Sequence, residues 1–252
     1  AGGSHTCALT RGGEVWCWGR NSEGQLGNNQ VDGKIEYGAV LVNVTPVKAI
    51  GLTDMKQVAT GLDHTCAVTS ASTVWCWGKN SSNQLGYNAG QKSIVPNEVP
   101  ALDSVSLLVA GQNHNCVLNA NVAKCWGANE SGQLGDGTLA NSEIPKVVSG
   151  LTYPVQLSAG SHSCAALVDG SALCWGANDS GQLGSMNPNS RVPAAVAGLQ
   201  VSGGIFASFD AHSCAIATGK NVKCWGKNTE GQLGNGTYLN TSVPTNVLEP
   251  VQ

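Results

Sequence analysis

The chain has 252 residues, 12% of them charged, with a formal net charge of -3, so it lacks the basic footprint that binding nucleic acid requires. Thirty-three glycines beside only two phenylalanines and two methionines suit short strands joined by tight turns rather than long helices. No run of about 18 apolar residues occurs, so direct membrane insertion by a helix is not expected. In chain order, Ala1 opens without Met or an apolar leader, which fits a processed secretory precursor or a trimmed sequence. His5-Thr6-Cys7 and Cys17-Trp18-Gly19 then read as two strands around a three-residue Arg11-Gly12-Gly13 loop. The second unit adds an apolar segment at Lys56-Gln57-Val58-Ala59, strands at Cys66-Ala67-Val68-Thr69 and Thr73-Val74-Trp75-Cys76, and an outer segment after a proline.

The same words recur as His64-Thr65-Cys66 with Cys76-Trp77-Gly78, His114-Asn115-Cys116 with Cys125-Trp126-Gly127, His162-Ser163-Cys164 with Cys174-Trp175-Gly176, and His212-Ser213-Cys214 with Cys224-Trp225-Gly226. The histidines are spaced by 59, 50, 48 and 50 residues, and each unit runs on into Gly-Gln-Leu-Gly or, once, Asn83-Gln84-Leu85-Gly86. A period near 50 with four short strands per unit predicts an all-β propeller. One domain over 1–252 is expected, with repeats around 1–46, 47–96, 97–145, 146–193 and 194–252.

The string Gly-x-x-His-Ser/Thr-Cys-Ala-Leu, then Cys-Trp-Gly-x-Asn, then Gly-Gln-Leu-Gly resembles the regulator of chromosome condensation repeat family over essentially the whole chain. The resemblance implies stacked four-stranded blades, seven in well-known members, whereas five repeats are visible here. About five residues of an inner strand are lacking between Gln252 and Ala1. The ring is therefore expected either to close by pairing of the N- and C-terminal segments or to belong to a larger propeller.

Ten cysteines suggest disulfides formed in an oxidising compartment. Opposing Cys7 to Cys17 puts Ala8 against Trp16 and Leu9 against Val15. In the third repeat, where the spacing is nine instead of ten, a two-residue Ala120-Asn121 turn still opposes Cys116 to Cys125, with Val117 against Lys124. Directly opposed residues lie about 4.5 to 5.5 Å apart at Cα, within reach of a disulfide. Five hairpin disulfides are predicted: Cys7 with Cys17, Cys66 with Cys76, Cys116 with Cys125, Cys164 with Cys174, and Cys214 with Cys224. Two alternatives are reduced cysteines acting as small core residues, and a metal bound by His and Cys on one strand face with the second Cys opposite. The absence of any Cys-x-x-Cys clamp weighs against the metal, and no metal or cofactor is expected.

Five histidines at one repeat position read as structural, as do the Cys-Trp-Gly tryptophans and the extra Trp16 and Trp75. Gly-Gln-Leu-Gly lacks the lysine and helix of a phosphate loop, and no nucleophile elbow or His-Glu-x-x-His occurs. Acceptor patterns for Asn-linked glycosylation begin at Asn43, Asn80, Asn129, Asn178, Asn235 and Asn240. The strongest departure from the repeat is an insertion: 18 residues separate Gly27 from Pro46, against eight or nine elsewhere, and they carry Asp32, Lys34, Glu36 and Tyr37 as candidate ligand-binding residues. The expected function is a non-enzymatic recognition or adhesion module, extracellular, periplasmic or on the cell surface, that presents its loops to a protein or glycan as part of a larger assembly. The family resemblance implies a guanine nucleotide exchange factor for a Ran-like GTPase as one alternative, and an enzyme inhibitor as another.

Overall fold

The computed structural model describes residues 1–31, 35–36, 39–40 and 43–248. The strands are β1 (His5–Leu9), β2 (Val15–Gly19), β3 (Ile35–Glu36), β4 (Ala39–Val40), β5 (Asn43–Lys48), β6 (Met55–Thr60), β7 (His64–Thr69), β8 (Val74–Lys79), β9 (Lys92–Glu98) and β10 (Val105–Ala110). They continue as β11 (His114–Asn119), β12 (Val122–Gly127), β13 (Ser142–Val147), β14 (Pro154–Ala159), β15 (His162–Leu167), β16 (Ser171–Gly176), β17 (Ser190–Ala207), β18 (His212–Ala217), β19 (Val222–Gly226) and β20 (Thr241–Asn246). Apart from a 3-10 turn at Thr218–Lys220, the described residues are all-β. The sheets follow chain order: β1-β2-β5, β6-β7-β8-β9, β10-β11-β12-β13, and a seven-stranded run from β14 to β20, with β3-β4 a separate ribbon.

The hairpin register agrees with the sequence expectation. Cys7 opposes Cys17, Ala8 opposes Trp16 and Leu9 opposes Val15, and the same pattern holds at Cys66–Cys76, Cys164–Cys174 and Cys214–Cys224. All four of these pairs are disulfides. Cys116 and Cys125 are also disulfide-bonded, and no described cysteine is free. The Cα atoms of the four pairs lie 4.1 Å apart, just below the expected window. Hydrogen bonding explains the short distance. Thr10 N donates to Glu14 O and Arg20 N to Ser4 O, so even-numbered residues of β1 form the wide, hydrogen-bonded pairs and Cys7–Cys17 falls on a narrow one. At the third hairpin, Ala120 and Asn121 have φ of 48° and 67°, the paired left-handed conformation of a two-residue hairpin turn.

The seven-stranded run is two four-stranded blades joined end to end: residues 190–200 of β17 pair with β16, and residues 201–207 pair with β18. Strand β17 is both the outer partner of β16 and the inner partner of β18. Its link is one residue shorter: Pro46 precedes Met55 by nine positions, but Pro193 precedes the equivalent Val201 by eight. The chain still turns there, at Gly198 with φ of 69°, the position held by Gly51, Ala101 and Gly150 with φ of 70°, 63° and 69°. Each outer strand carries a proline, at Pro46, Pro96, Pro145, Pro193 or Pro244, which cannot donate to a further strand and so blunts the edge.

Two compact units divide the chain: Ala1–Ala120 with Trp126–Ala128 and Asn141–Pro145, and Asn121–Cys125 with Asn129–Ala140 and Lys146–Gln252. In the first, Val15, Cys17, Leu26 and Trp77 form one buried cluster, and Val68, Val74, Leu85, Val99 and Trp126 another. In the second, Leu183, Val196, Leu199, Ile205 and Trp225 pack around Cys164 and Cys174. The strand alternation supplies these inward residues, and the disulfides tie their hairpins.

Candidate functional site

The repeated words are consumed by the framework. Within the first unit, Gln25 O accepts from Thr65 Oγ1 at 2.8 Å and from the Trp77 indole at 2.9 Å, both from the next repeat. Gln84 O accepts likewise from Asn115 Nδ2 at 2.7 Å and Trp126 at 3.0 Å. In the second unit, Gln133 O takes Ser163 and Trp175, and Gln182 O takes Ser213 and Trp225. The last glycine of Gly-Gln-Leu-Gly makes room for this indole, since a Cβ on Gly27 would lie 2.7 Å from Trp77 Nε1.

The histidines complete this relay. His5 Nε2 lies 2.9 Å from Thr65 Oγ1, and His64 Nε2 lies 3.0 Å from Asn115 Oδ1. Thr65 Oγ1 spends its proton on Gln25 O, so it must accept from His5, which fixes the neutral Nε2–H tautomer. His5 Nδ1 and His64 Nδ1 are buried without partners, leaving a second proton nothing to bond. Burial accordingly lowers the pKa of His5 and of His64 to about 4, with the charge of His64 assisting at His5. His114 is lowered to about 3, by burial first and then by His64. Neutral, buried and committed to neighbours, these rings hold the structure together instead of moving protons. The thiols that a metal would need are spent in disulfides.

The asparagine of Cys-Trp-Gly-x-Asn builds a platform. Asn21, Asn80, Asn129, Asn178 and Asn228 each accept the buried leucine N–H of Gly-Gln-Leu-Gly at 2.8 to 3.0 Å. Their Nδ2 groups donate into the following loop: Asn21 to Gln30 O, Asn80 to Gly90 O, Asn129 to Thr138 O, Asn228 to Thr237 O. The loops after Gly-Gln-Leu-Gly are thereby held from below, and their tips remain free to vary.

In the second unit those tips are apolar and exposed: Leu139 is 42% exposed, Met186 94%, Tyr238 74% and Leu239 75%. They lie in 136–141, 185–189 and 235–240, the same repeat position each time. A cleft of about 720 Å³ is lined by Leu139 and Met186 together with Glu130, Asp179 and Arg191. Exposed Tyr, Met and Arg on a firm scaffold are residue types enriched at protein interfaces. Among the described residues, the Arg191 guanidinium makes no ion pair.

Of the residues expected at the site, Asp32, Lys34 and Tyr37 lie outside the described residues. Glu36 falls in β3, whose backbone pairs with Ala39 of β4, so the insertion contains a short antiparallel ribbon. The insertion and the apolar tips share one repeat position, that following Gly-Gln-Leu-Gly. The sequence reading singled out the insertion by length but missed Leu139, Met186, Tyr238 and Leu239. The signal was available, as apolar residues in loops where asparagine, glycine and serine otherwise prevail.

Residues 1–252 match the RCC1-like domain family. The chain is 32% identical over 120 residues to the Ultraviolet-B receptor UVR8 of Arabidopsis thaliana, covering 46% of this chain and 26% of UVR8. It is 34% identical over 116 residues to the probable E3 ubiquitin-protein ligase HERC4 of Homo sapiens, covering 45% of this chain and 10% of HERC4. Among solved structures, Prp20p of Saccharomyces cerevisiae has a TM-score of 0.82 at 24% identity, covering 98% of this chain and 62% of that one. The ectodomain of the Physcomitrella patens receptor kinase CR4 has a TM-score of 0.52 at 21% identity, covering 90% of this chain and 49% of that one. The chain thus spans only part of each relative's length, and these structural likenesses establish the β-propeller fold.

Proposed function

Because the chain belongs to the RCC1-like domain family, we propose that it is a non-enzymatic recognition module, working outside the reducing cytosol, that grips a protein partner with the loops following Gly-Gln-Leu-Gly. The observation that carries this reading is the exposure of Leu139, Met186, Tyr238 and Leu239 at one repeat position, above a framework that uses its own polar residues internally. Apolar side chains held at loop tips contribute binding free energy when a partner buries them. The insertion with Asp32, Lys34, Glu36 and Tyr37 occupies the equivalent position of the first repeat and adds charge to the same kind of element. Prp20p, with the same fold, binds Gsp1p and histones, and Kap60 is seen bound to it. The disulfides support a setting outside the reducing cytosol.

Affinity capture from the native extracellular fluid or cell surface, followed by measurement of Kd, tests the reading. Met186→Glu combined with Tyr238→Glu and Leu239→Glu is expected to weaken the partner about tenfold or more, whereas Val168→Glu, on an exposed hairpin position of the same unit, leaves it unchanged. Equal binding by both variants would overturn the assignment of the surface. A captured glycan, or a captured enzyme that the module inhibits, would replace the partner class. The likeness to Prp20p favours guanine nucleotide exchange on a Ran-like GTPase as a second reading. Accelerated nucleotide release from such a GTPase by the purified chain would move that reading ahead.

A further inference from the structure

Three of the platform asparagines, Asn80, Asn129 and Asn178, also head the Asn-x-Ser sequences Asn80-Ser81-Ser82, Asn129-Glu130-Ser131 and Asn178-Asp179-Ser180. Their exposures are 4%, 0% and 8%. Each Oδ1 accepts a buried leucine N–H. Asn80 Nδ2 donates to Gly90 O at 2.9 Å. Asn129 Nδ2 donates to Asp136 Oδ1 at 3.2 Å and Thr138 O at 3.1 Å, and Asn178 Nδ2 to the carbonyls of Ser185 and Asn187. Oligosaccharide transfer from a lipid-diphosphate donor joins the sugar's anomeric carbon to Nδ2. One amide hydrogen leaves as a proton and the lipid diphosphate departs. A modified Nδ2 keeps one hydrogen where Asn129 and Asn178 use two, and at Asn80 and Asn129 it carries a bulky hydrated group where burial leaves no room.

Transfer acts on the entering chain before such loops close, so modification and folding compete at all three positions. Asn240 is different. It is exposed, its Oδ1 accepts from Asn228 N at 2.8 Å, and its Nδ2 makes no hydrogen bond among the described residues, so a glycan there is compatible with the fold. The paired cysteines meanwhile require an oxidising compartment. We infer that the chain forms its disulfides in an oxidising compartment that lacks asparagine-linked oligosaccharide transfer, of which a bacterial periplasm is the type, and that Asn80, Asn129 and Asn178 stay unmodified. This rests on the disulfides and the loop geometry, not on the choice of binding surface.

The test places the whole chain behind a cleavable secretion signal in a bacterial periplasm and in a eukaryotic secretory host. Ser82→Ala, Ser131→Ala and Ser180→Ala together remove the acceptor sequences while preserving the loops, because these serines bond Gln84, Gln133 and Gln182 Oε1 through backbone N, each at 2.9 Å. In the periplasm, the unaltered chain and the triple variant are expected in equal yield with all cysteines paired. In the eukaryotic host, the unaltered chain is expected to carry glycans at the three asparagines and to be secreted about tenfold less than the triple variant. Tunicamycin, which blocks transfer without any substitution, should close that gap. Secretion of the unaltered chain, fully oxidised and at the yield of the triple variant, would overturn the inference whether the three sites are bare or occupied. So would a yield that neither the variant nor tunicamycin raises.

Discussion

Replacing Thr65 by valine isolates the hydrogen-bond relay between successive repeats. Thr65 is fully buried; its hydroxyl donates to Gln25 O at 2.8 Å and accepts from His5 Nε2 at 2.9 Å. Valine keeps the shape and the branched Cβ, so neither cavity nor backbone strain follows. Gln25 O stays satisfied by the Trp77 indole at 2.9 Å. The damage falls on His5, whose Nε2–H loses its acceptor, and a change of tautomer gives no escape because Nδ1 has no partner either. A stranded buried donor costs about 1–3 kcal/mol and a lost neutral hydrogen bond about 1 kcal/mol net, so the expected destabilisation is about 2–4 kcal/mol. Thr6 holds the same repeat position, is half-buried, and its hydroxyl makes no hydrogen bond among the described residues, so Thr6→Val is expected within about 0.5 kcal/mol of the parent. Urea unfolding of the disulfide-intact chain, followed by tryptophan fluorescence, measures both. Equal losses at the two positions would refute the relay as a source of stability.

Acid should unfold the protein through its histidines. His5, His64 and His114 have folded pKa values near 4, 4 and 3 against 6.5 unfolded, so their contribution is complete above pH 6.5 and is lost as pH falls toward 4. At pH 5 each costs about 2 kcal/mol relative to neutral pH, and urea midpoints measured from pH 7.5 to 5 that do not fall would contradict the burial argument. Gly78→Ala should cost about 3 kcal/mol or more, because Gly78 has φ of 100° and an added Cβ would sit 2.6 Å from Asp63 O; thermal unfolding measures it. Intact mass after alkylation in denaturant should show no labelled cysteine without reductant and ten with it; labelling without reductant would remove the disulfides.

Much of this architecture was legible because it is local. Cys7 and Cys17 are joined by one tight turn, so counting outward from Arg11-Gly12-Gly13 yields the register, and the one-residue deletion in the third hairpin is absorbed by shortening its turn to Ala120-Asn121. That two successive blades meet in one continuous strand, β17, was not legible. Its two halves pair as the outer strand of one blade and the inner strand of the next, and the link between them turns at Gly198 just as the other links turn at Gly51, Ala101 and Gly150. The candidate surface was half legible. The insertion announced itself by length, but Met186 and Tyr238 look like ordinary loop residues until the platform beneath them is seen.

The sequence by itself determined the five repeats, the strand period, the hairpin pairing and the cysteine partners, since each follows from residues within about a dozen positions of one another and from the two-residue alternation of a strand. Tertiary structure alone decided what those residues are used for. Gln25 meets Thr65 and Trp77 across 40 and 52 positions of chain, and contacts of that range depend on how one sheet lies against the next. The same packing buries Asn80, Asn129 and Asn178, which the sequence presents as surface acceptors, and exposes Leu139, Met186 and Tyr238, which it presents as unremarked loop. A residue's exposure belongs to the packed arrangement and not to its type, which is why function had to be read from the loops only after the framework had claimed its own residues.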